Sequence, residues 1–383
     1  VESGNLILYI FLIFASAKVM GEIFARLRMP PIVGELIAGM LLGSYVLGII
    51  DHHDEVLMSL AEIGVIFLMF YVGLEIRVKD LFTVGKTAIL VGLLGVIFPL
   101  VLGYACMMVL GFALVESLFV ATAILATSVG ISVKVLADLG LIKHKVAYIV
   151  LGAAVLDDIL ALIILALVRG LARGKFDSLE FVLLVIEALV FVGFLTIWGP
   201  KLAKRSRKWV EGRLRIPEGP FVVSIILCLG LAELADVIGL AAIIGAFMAG
   251  IMIDELAGVY DLETKVKYVS EFLLPFFFVM MGAHLDPRAF ATPRVWGLLA
   301  VITVVAVVSK MLGAWLGCLG HDARTRIQAG VCMIPRGEVG IIVGLIGISL
   351  HTITQELYTL VLGMSLLTTI LAPPLILMVF RKK

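Results

Sequence analysis

Two adjacent aspartates, Asp157 and Asp158, lie deep in the apolar run Val155-Leu156-Asp157-Asp158-Ile159-Leu160. A carboxylate in such surroundings can hold a proton or a small hard cation, because both satisfy the same oxygen lone pairs. Neighbouring residues on a helix point about 100° apart, so the two acids cannot share one partner. A structural ion pair would need only one of them. Two separate tasks are implied: one carboxylate pairs with a buried cation and the other faces a water-filled cavity. Lys310, in Val307-Val308-Ser309-Lys310-Met311-Leu312, is the cation that suits the first task. A second charged pair, Arg336 and Glu338, sits in Ile334-Pro335-Arg336-Gly337-Glu338-Val339-Gly340. By the helix macrodipole Glu338 suits facing helix N-termini and Arg336 suits facing C-termini, so this pair reads as structural before ion-binding. Two hydroxyls, Thr127 and Ser128, stand beside Gly130 in another apolar run.

The depth of these residues matters because of the solvent around them. Of the 383 residues, 62% are hydrophobic and only 15% charged, against about 25% charged in an ordinary soluble domain. Mean hydropathy is +1.17, and long apolar stretches follow one another, which places the chain in a lipid bilayer. A charge at bilayer depth costs at least ~2.5–3.5 kcal/mol on insertion scales, so each deep charge is a functional candidate. Net charge of +1 and the absence of a polar basic surface exclude nucleic acid as a partner. Cys106, Cys228, Cys318 and Cys332 lie in apolar stretches without metal-ligand spacing and read as small buried hydrophobes. The glycine-rich stretches Gly39 to Gly43 and Gly245 to Gly250 suit close helix packing. They do not resemble phosphate loops, and no cofactor is expected. Lys18, Glu22, Glu35, Glu62, Lys134, Glu187 and Glu233 lie nearer span ends or small residues, where packing or snorkelling accounts for them; Glu35 stands out among these.

The expected fold class is an all-α polytopic membrane protein with thirteen transmembrane helices. The spans are 5–25, 31–50, 56–74, 86–110, 115–137, 146–169, 179–200, 218–235, 237–253, 268–285, 295–317, 326–350 and 356–380. The first reads as a retained helix and not a signal peptide. One set of loops holds 21 basic residues and the other five. The positive-inside rule therefore puts the N-terminus outside and the C-terminus in the cytoplasm. The basic connection from Lys201 to Pro217 reads as a cytoplasmic linker beside anionic head groups. Gly34 to Gly39 matches Gly245 to Gly250 at an offset of 211, Gly73 matches Gly282 at 209, and Ser128-Val129-Gly130-Ile131 matches Glu338-Val339-Gly340-Ile341 at 210. Seven helices separate equivalent spans, so the repeat is inverted, six plus six, with span 7 joining the halves. Inverted repeats with interrupted helices place a transport site near the bilayer midplane. Spans 5 and 12, interrupted at Thr127-Ser128-Val129-Gly130 and at Pro335, Gly337 and Gly340, are the repeat-related pair.

The chain resembles the bacterial sodium/proton antiporters of the monovalent cation:proton antiporter-2 family, over essentially its whole length. The resemblance rests on residues 27–36 (LRMPPIVGEL), 70–75 (FYVGLE), 126–131 (ATSVGI), 151–158 (LGAAVLDD) and 335–340 (PRGEVG). It implies a homodimer in a prokaryotic inner membrane. A dimerisation and scaffold domain would come from residues 1–76 and 218–290, spans 1–3 and 8–10. A mobile core would come from 86–170 and 295–380, spans 4–6 and 11–13, with 179–217 as linker helix and basic loop. It further implies that spans 5 and 12 cross as discontinuous helices, with Thr127 and Ser128 at the crossing. Asp158 would carry the ion and proton, with Asp157 and Asp158 as the sodium ligands and Asp157 paired to Lys310. The double aspartate resembles the electrogenic, sodium-type members. The expected activity is exchange of Na+, and of Li+, for H+ by an elevator-like movement. Potassium/proton antiport and sodium-coupled solute symport are the alternatives, though a symporter needs a polar substrate cavity that these apolar spans do not offer. An intramembrane aspartyl protease needs two aspartates on facing helices, which Asp157 and Asp158 are not.

Overall fold

The computed structural model describes residues 6–27, 29–51, 54–75, 78–173, 186–187, 190–195, 197–199, 201–202, 205, 218–284 and 293–381. The long elements among the described residues are all α-helices. The chain runs through α1 (Leu6–Arg26), α2 (Pro31–Leu42), α3 (Glu55–Glu75), α4 (Val78–Val109), α5 (Leu114–Leu125), α6 (Val129–Asp138) and α7 (Lys145–Arg173). After these come α8 (Gly219–Val237), α9 (Ala242–Tyr260), α10 (Leu262–Ala283), α11 (Pro293–Gly317), α12 (Ala323–Cys332), α13 (Glu338–Ser349) and α14 (Gln355–Phe380). Among the described residues nine helical stretches are long and apolar enough to cross a membrane. Large apolar side chains such as Ile7, Phe11, Val109, Ile226 and Val237 point outward, an arrangement that water penalises and lipid tails do not.

Side chains start and stop the helices where backbone groups would otherwise be left over. Asp54 accepts from the Leu57 amide at 3.0 Å ahead of α3, Asp322 from Thr325 at 3.1 Å ahead of α12, and Thr354 from Leu357 at 3.3 Å ahead of α14, each an N-cap. Several ends differ from the hydropathy boundaries. Span 2 was expected to reach residue 50, but α2 stops at Leu42, where the chain turns through Gly43 to Gly48, the latter at φ +65°. Span 9 starts at Ala242 rather than 237 because Gly239 takes φ +80°. Helices α4 and α10 begin at Val78 and Leu262, ahead of residues 86 and 268: hydropathy marks where the chain is apolar, whereas a helix runs on through polar residues until a cap ends it. Of span 7 a short apolar helix, Val190–Gly199, is described; most of the linker at 179–217 lies outside the described residues.

Two sets of helices pack mainly within themselves and meet where α6 lies against α3 and α14 against α2. In one, α3 lies against α9 and α10, α2 against α1 and α10, and α8 against α9. In the other, α4 lies against α5, α7 and α11, and α14 against α11, α12 and α13. Backbones in the first set come into direct contact. A Cβ on Gly39 would stand 1.9 Å from the Val279 carbonyl oxygen, and one on Gly250 would stand 2.5 Å from that of Phe70. The same correspondence relates Gly34 against Met20 to Gly245 against Leu231, and Gly73 against Phe247 to Gly282 against Leu36. Gly39→Ala should therefore destabilise the protein by at least the ~1–3 kcal/mol typical of an overpacked site. Gly230→Ala, with no neighbour within 4 Å, should not. Thermal unfolding in detergent, followed by size-exclusion chromatography, reads the difference, and equal behaviour of the two variants would contradict the packing.

Candidate functional site

Two helices break at the centre of the second set. Helix α5 ends at Leu125; Ala126 and Ser128 are extended, and α6 begins at Val129. Helix α12 ends at Cys332, the chain runs unwound through Ile334 to Gly337, and α13 begins at Glu338. Unwound backbone inside a bilayer is tolerable only if its polar groups find partners within the protein, and here the two breaks serve each other. The Ser128 amide donates to the Pro335 carbonyl at 2.9 Å, and the Ser132 hydroxyl donates to the Cys332 carbonyl at 2.5 Å. The crossing is close enough to demand glycine at 337, where a Cβ would stand 2.6 Å from Ser128 Oγ.

Lys310 reaches this crossing from α11 with its side chain fully buried. Its Nζ donates to Asp157 Oδ1 at 2.5 Å, to the Gly95 carbonyl at 2.7 Å and to the Leu125 carbonyl at 2.8 Å. Both carbonyls are available for local reasons. Leu125 ends α5, so its oxygen lacks an intrahelical donor. Gly95 lies four residues before Pro99 within α4, and proline has no amide hydrogen to donate back. Three acceptors thus meet three ammonium protons. Asp157 is also wholly buried, and its Oδ2 has no hydrogen-bond partner among the described residues.

Arg336 is equally buried. It donates to Met333 O at 2.9 Å, Ala306 O at 3.0 Å and Thr127 Oγ1 at 3.4 Å. Met333 is the C-cap of α12, so the guanidinium lies at the negative end of that helix. The backbone of Glu338 opens α13, while its side chain lies outside what is described. Thr127 and Ser128 are buried in the break itself.

Asp158 points elsewhere. It is 7% exposed where Asp157 is 0%, and it lines a cleft with Val129 of α6, Met69 of α3, and Ile243, Ile244 and Phe247 of α9. The cleft therefore lies on the seam between the two helix sets. Its free space is about 10 Å³, close to the minimum that admits one water-sized particle. Asp157, Lys310, Thr127, Ser128 and Arg336 are brought together at the crossing, and Asp158 is next to them on the seam. Glu35 lies apart from them in α2, buried and 3.7 Å from Lys18. Sequence reasoning passed over Gly95, whose signal was the mid-span Pro99 four residues on.

Comparison with known proteins gives a consistent result. Residues 10–382 match the model of the family described as sodium/hydrogen exchanger, transmembrane. The Na(+)/H(+)-K(+) antiporter GerN of Bacillus cereus is 34% identical over 98% of this chain and 96% of its own. A Na(+)/H(+) antiporter of Enterococcus hirae is 33% identical over 97% of each. Among solved structures, the sodium proton antiporter MjNhaP1 of Methanocaldococcus jannaschii superposes with a TM-score of 0.68 over 95% of this chain and 94% of that one, at 20% identity.

The buried pair makes a test of its own. Removing one partner of a buried ion pair costs about 3–5 kcal/mol, whereas replacing both by apolar residues is often close to neutral. Lys310→Met should lower the unfolding temperature strongly, and the double variant Lys310→Met/Asp157→Leu should recover much of the loss. A double variant no more stable than the single one would show that the pair is not the main electrostatic link there.

Proposed function

Since this chain belongs to the sodium/hydrogen exchanger family, we propose that it exchanges Na+, and also Li+, for H+ across a prokaryotic inner membrane. Asp158 carries the ion. The observation that supports this most directly is the division of labour between two neighbouring acids: Asp157 is bound to Lys310 at 2.5 Å within one helix set, and Asp158 lines the cleft between the sets. A carboxylate on a seam can be exposed to either face if one set moves relative to the other.

The buried charges support monovalent exchange. The sequence places two cations, Lys310 and Arg336, and three acids, Asp157, Asp158 and Glu338, in the middle of the spans. With all five ionised there is one negative charge in excess, which one sodium ion or one proton neutralises. Moving that excess uncompensated through lipid is costly, so the loaded forms are the ones that cross. Competition of Na+ and H+ for Asp158 then couples the two flows. Thr127 and Ser128 complete the sodium surroundings, and Asp157 contributes when it is freed from Lys310. Arg336 and Glu338 hold the crossing together.

Movement is of the elevator type, with residues 86–170 and 295–380 as the core and 1–76 and 218–290 as the scaffold of a homodimer. The closer packing within each helix set than between them supports this division. The six-plus-six inverted repeat is supported by the paired glycine contacts, in which Gly39 with Val279 corresponds to Gly250 with Phe70. Thirteen spans are reached by adding α2, Val190–Gly199, α9 and the α12–α13 pair to the nine long helical stretches. The N-terminus lies outside and the C-terminus in the cytoplasm, on the positive-inside rule. With Lys310 charged throughout, one proton crosses for each sodium; in the electrogenic form that we propose, Lys310 gives up its proton as sodium engages Asp157, the sodium-loaded site keeps one negative charge, and two protons cross for each sodium.

In proteoliposomes carrying a pH dye, sodium added to one side should drive proton movement, and Asp158→Asn should abolish it; activity retained in that variant would move the site elsewhere. An imposed membrane potential should change the rate, and indifference to potential would sink the electrogenic stoichiometry. Potassium/proton exchange is the second reading, favoured by the potassium in the printed name of the Bacillus cereus relative. Comparing Na+, Li+ and K+ as drivers decides between the two.

A further inference from the structure

The turn between α11 and α12 carries His321, a residue with no part in the site above. Its Nδ1 lies 3.1 Å from Lys145 Nζ at the start of α7, and its Nε2 lies 3.0 Å from Thr87 Oγ1 on α4. The backbone holds the imidazole in place, with the His321 amide donating to the Cys318 carbonyl at 3.0 Å. An ammonium can only donate, so Nδ1 must accept from Lys145, and the ring proton must sit on Nε2 and point at Thr87. The contact as it stands requires a neutral imidazole.

These ring contacts tie together the ends of the helices whose middles hold the buried pair. Helix α4 carries both Thr87 and Gly95, α7 carries both Lys145 and Asp157, and α11 carries Lys310 ahead of the turn that holds His321. We propose that His321 is a positioning residue that clasps α4, α7 and the α11–α12 turn at the basic face when neutral and releases them when protonated, so that acid at that face slows exchange. The idea rests on the antiport reading.

The charges around the ring set the direction of the effect. A second ring proton would turn Nδ1 into a donor facing the Lys145 ammonium, with loss of a hydrogen bond and gain of like-charge repulsion. The neighbouring acid in the sequence, Asp322, carries its charge in wild type and variants alike, so what distinguishes them is the Lys145 ammonium. On α12, Asp322 accepts from the Thr325 amide at 3.1 Å and from its hydroxyl at 2.6 Å, and these bonds hold its carboxyl below the usual range and commit it to the helix cap. Burial pushes the Cys318 thiol up to about 11, so it stays uncharged. Lys86, Lys143 and Arg324 add only positive charge. Burial, and then the Arg324 charge, hold the His144 imidazole below its ordinary value, where it stands edge-on to Phe380 at 5.8 Å.

The test compares wild type, His321→Gln and Lys145→Met in proteoliposomes with equal pH on both sides. Exchange of radioactive sodium is followed over about pH 6–8, the range in which imidazoles change charge. Wild type should lose up to about tenfold more rate across this range than either variant, the equivalent of one charge-assisted hydrogen bond. Thermal unfolding over the same pH range should show the matching pattern: wild type loses more stability on acidification than Lys145→Met does, because that variant has no ammonium for the new proton to face. Superposable pH profiles for all three proteins would overturn the clasp. A wild type that moves no sodium at any pH would instead overturn the sodium reading, and the unfolding profiles would still decide the role of His321.

Discussion

A lysine ammonium taken out of water must give each of its three protons to an acceptor inside the protein, or the helix that carries it will not stay in the bilayer. Lys310 meets this condition with a carboxylate and two main-chain carbonyls, and much of the surrounding architecture follows from the need for those two carbonyls. An intact helix uses its carbonyls internally, so one must be released by a proline four residues on and the other by ending a helix. Pro99 does the first, and the end of α5 at Leu125 does the second. The break in span 5 is thus a means of keeping a charge at the centre of the membrane as well as an opening in the backbone.

A break solves one polar problem and creates another, since unwound residues carry amides and carbonyls of their own. The second break answers the first. Ser128 and Pro335 pair across the crossing, Ser132 takes the last carbonyl of α12, and Arg336 covers Met333 and reaches Ala306. Either broken helix alone would expose its ends to lipid. This mutual dependence gives a physical reason for the two interruptions to appear at matching places in the proposed repeat. The halves are not chemically equivalent, however. At the offset of 210, Thr368 stands where α7 carries Asp158 and Leu100 stands where α11 carries Lys310. The two adjacent aspartates come from one half and the lysine from the other, so the pair of Asp157 with Lys310 joins the two halves.

How far the sequence could be read follows from the same physics. Asp157, Asp158, Lys310 and Arg336 were conspicuous because lipid leaves few charges at depth, and hydroxyls beside glycine marked the place where span 5 unwinds. Adjacency of the two aspartates established that they face different surroundings. Which of them meets Lys310 depends on the rotation of α7 against α4 and α11, a tertiary property with no local signal. Helix ends at Leu42, Ala242 and Leu262 were misplaced because hydropathy reports the solvent and not the capping groups. Gly95 was passed over although Pro99 advertised it. The bonds of His321 to Thr87 and Lys145 span 234 and 176 residues, and no spacing rule brings such partners together.

The placement of Asp158 completes the physical picture. Were both acids turned inward, each would be held by fixed donors, and neither could exchange partners without dismantling the crossing. Were both on the seam, Lys310 would be left without its carboxylate and the centre would carry an unpaired ammonium, which is the costlier error. Two consecutive aspartates on one helix avoid both outcomes, because a turn of about 100° between neighbours suffices to put one in the packed interior and the other at the boundary between helix sets. On the proposed exchange, the inner acid would keep the charged centre in place while the outer one changes its ligand, and an insertion or deletion between them would cost the protein one of these roles.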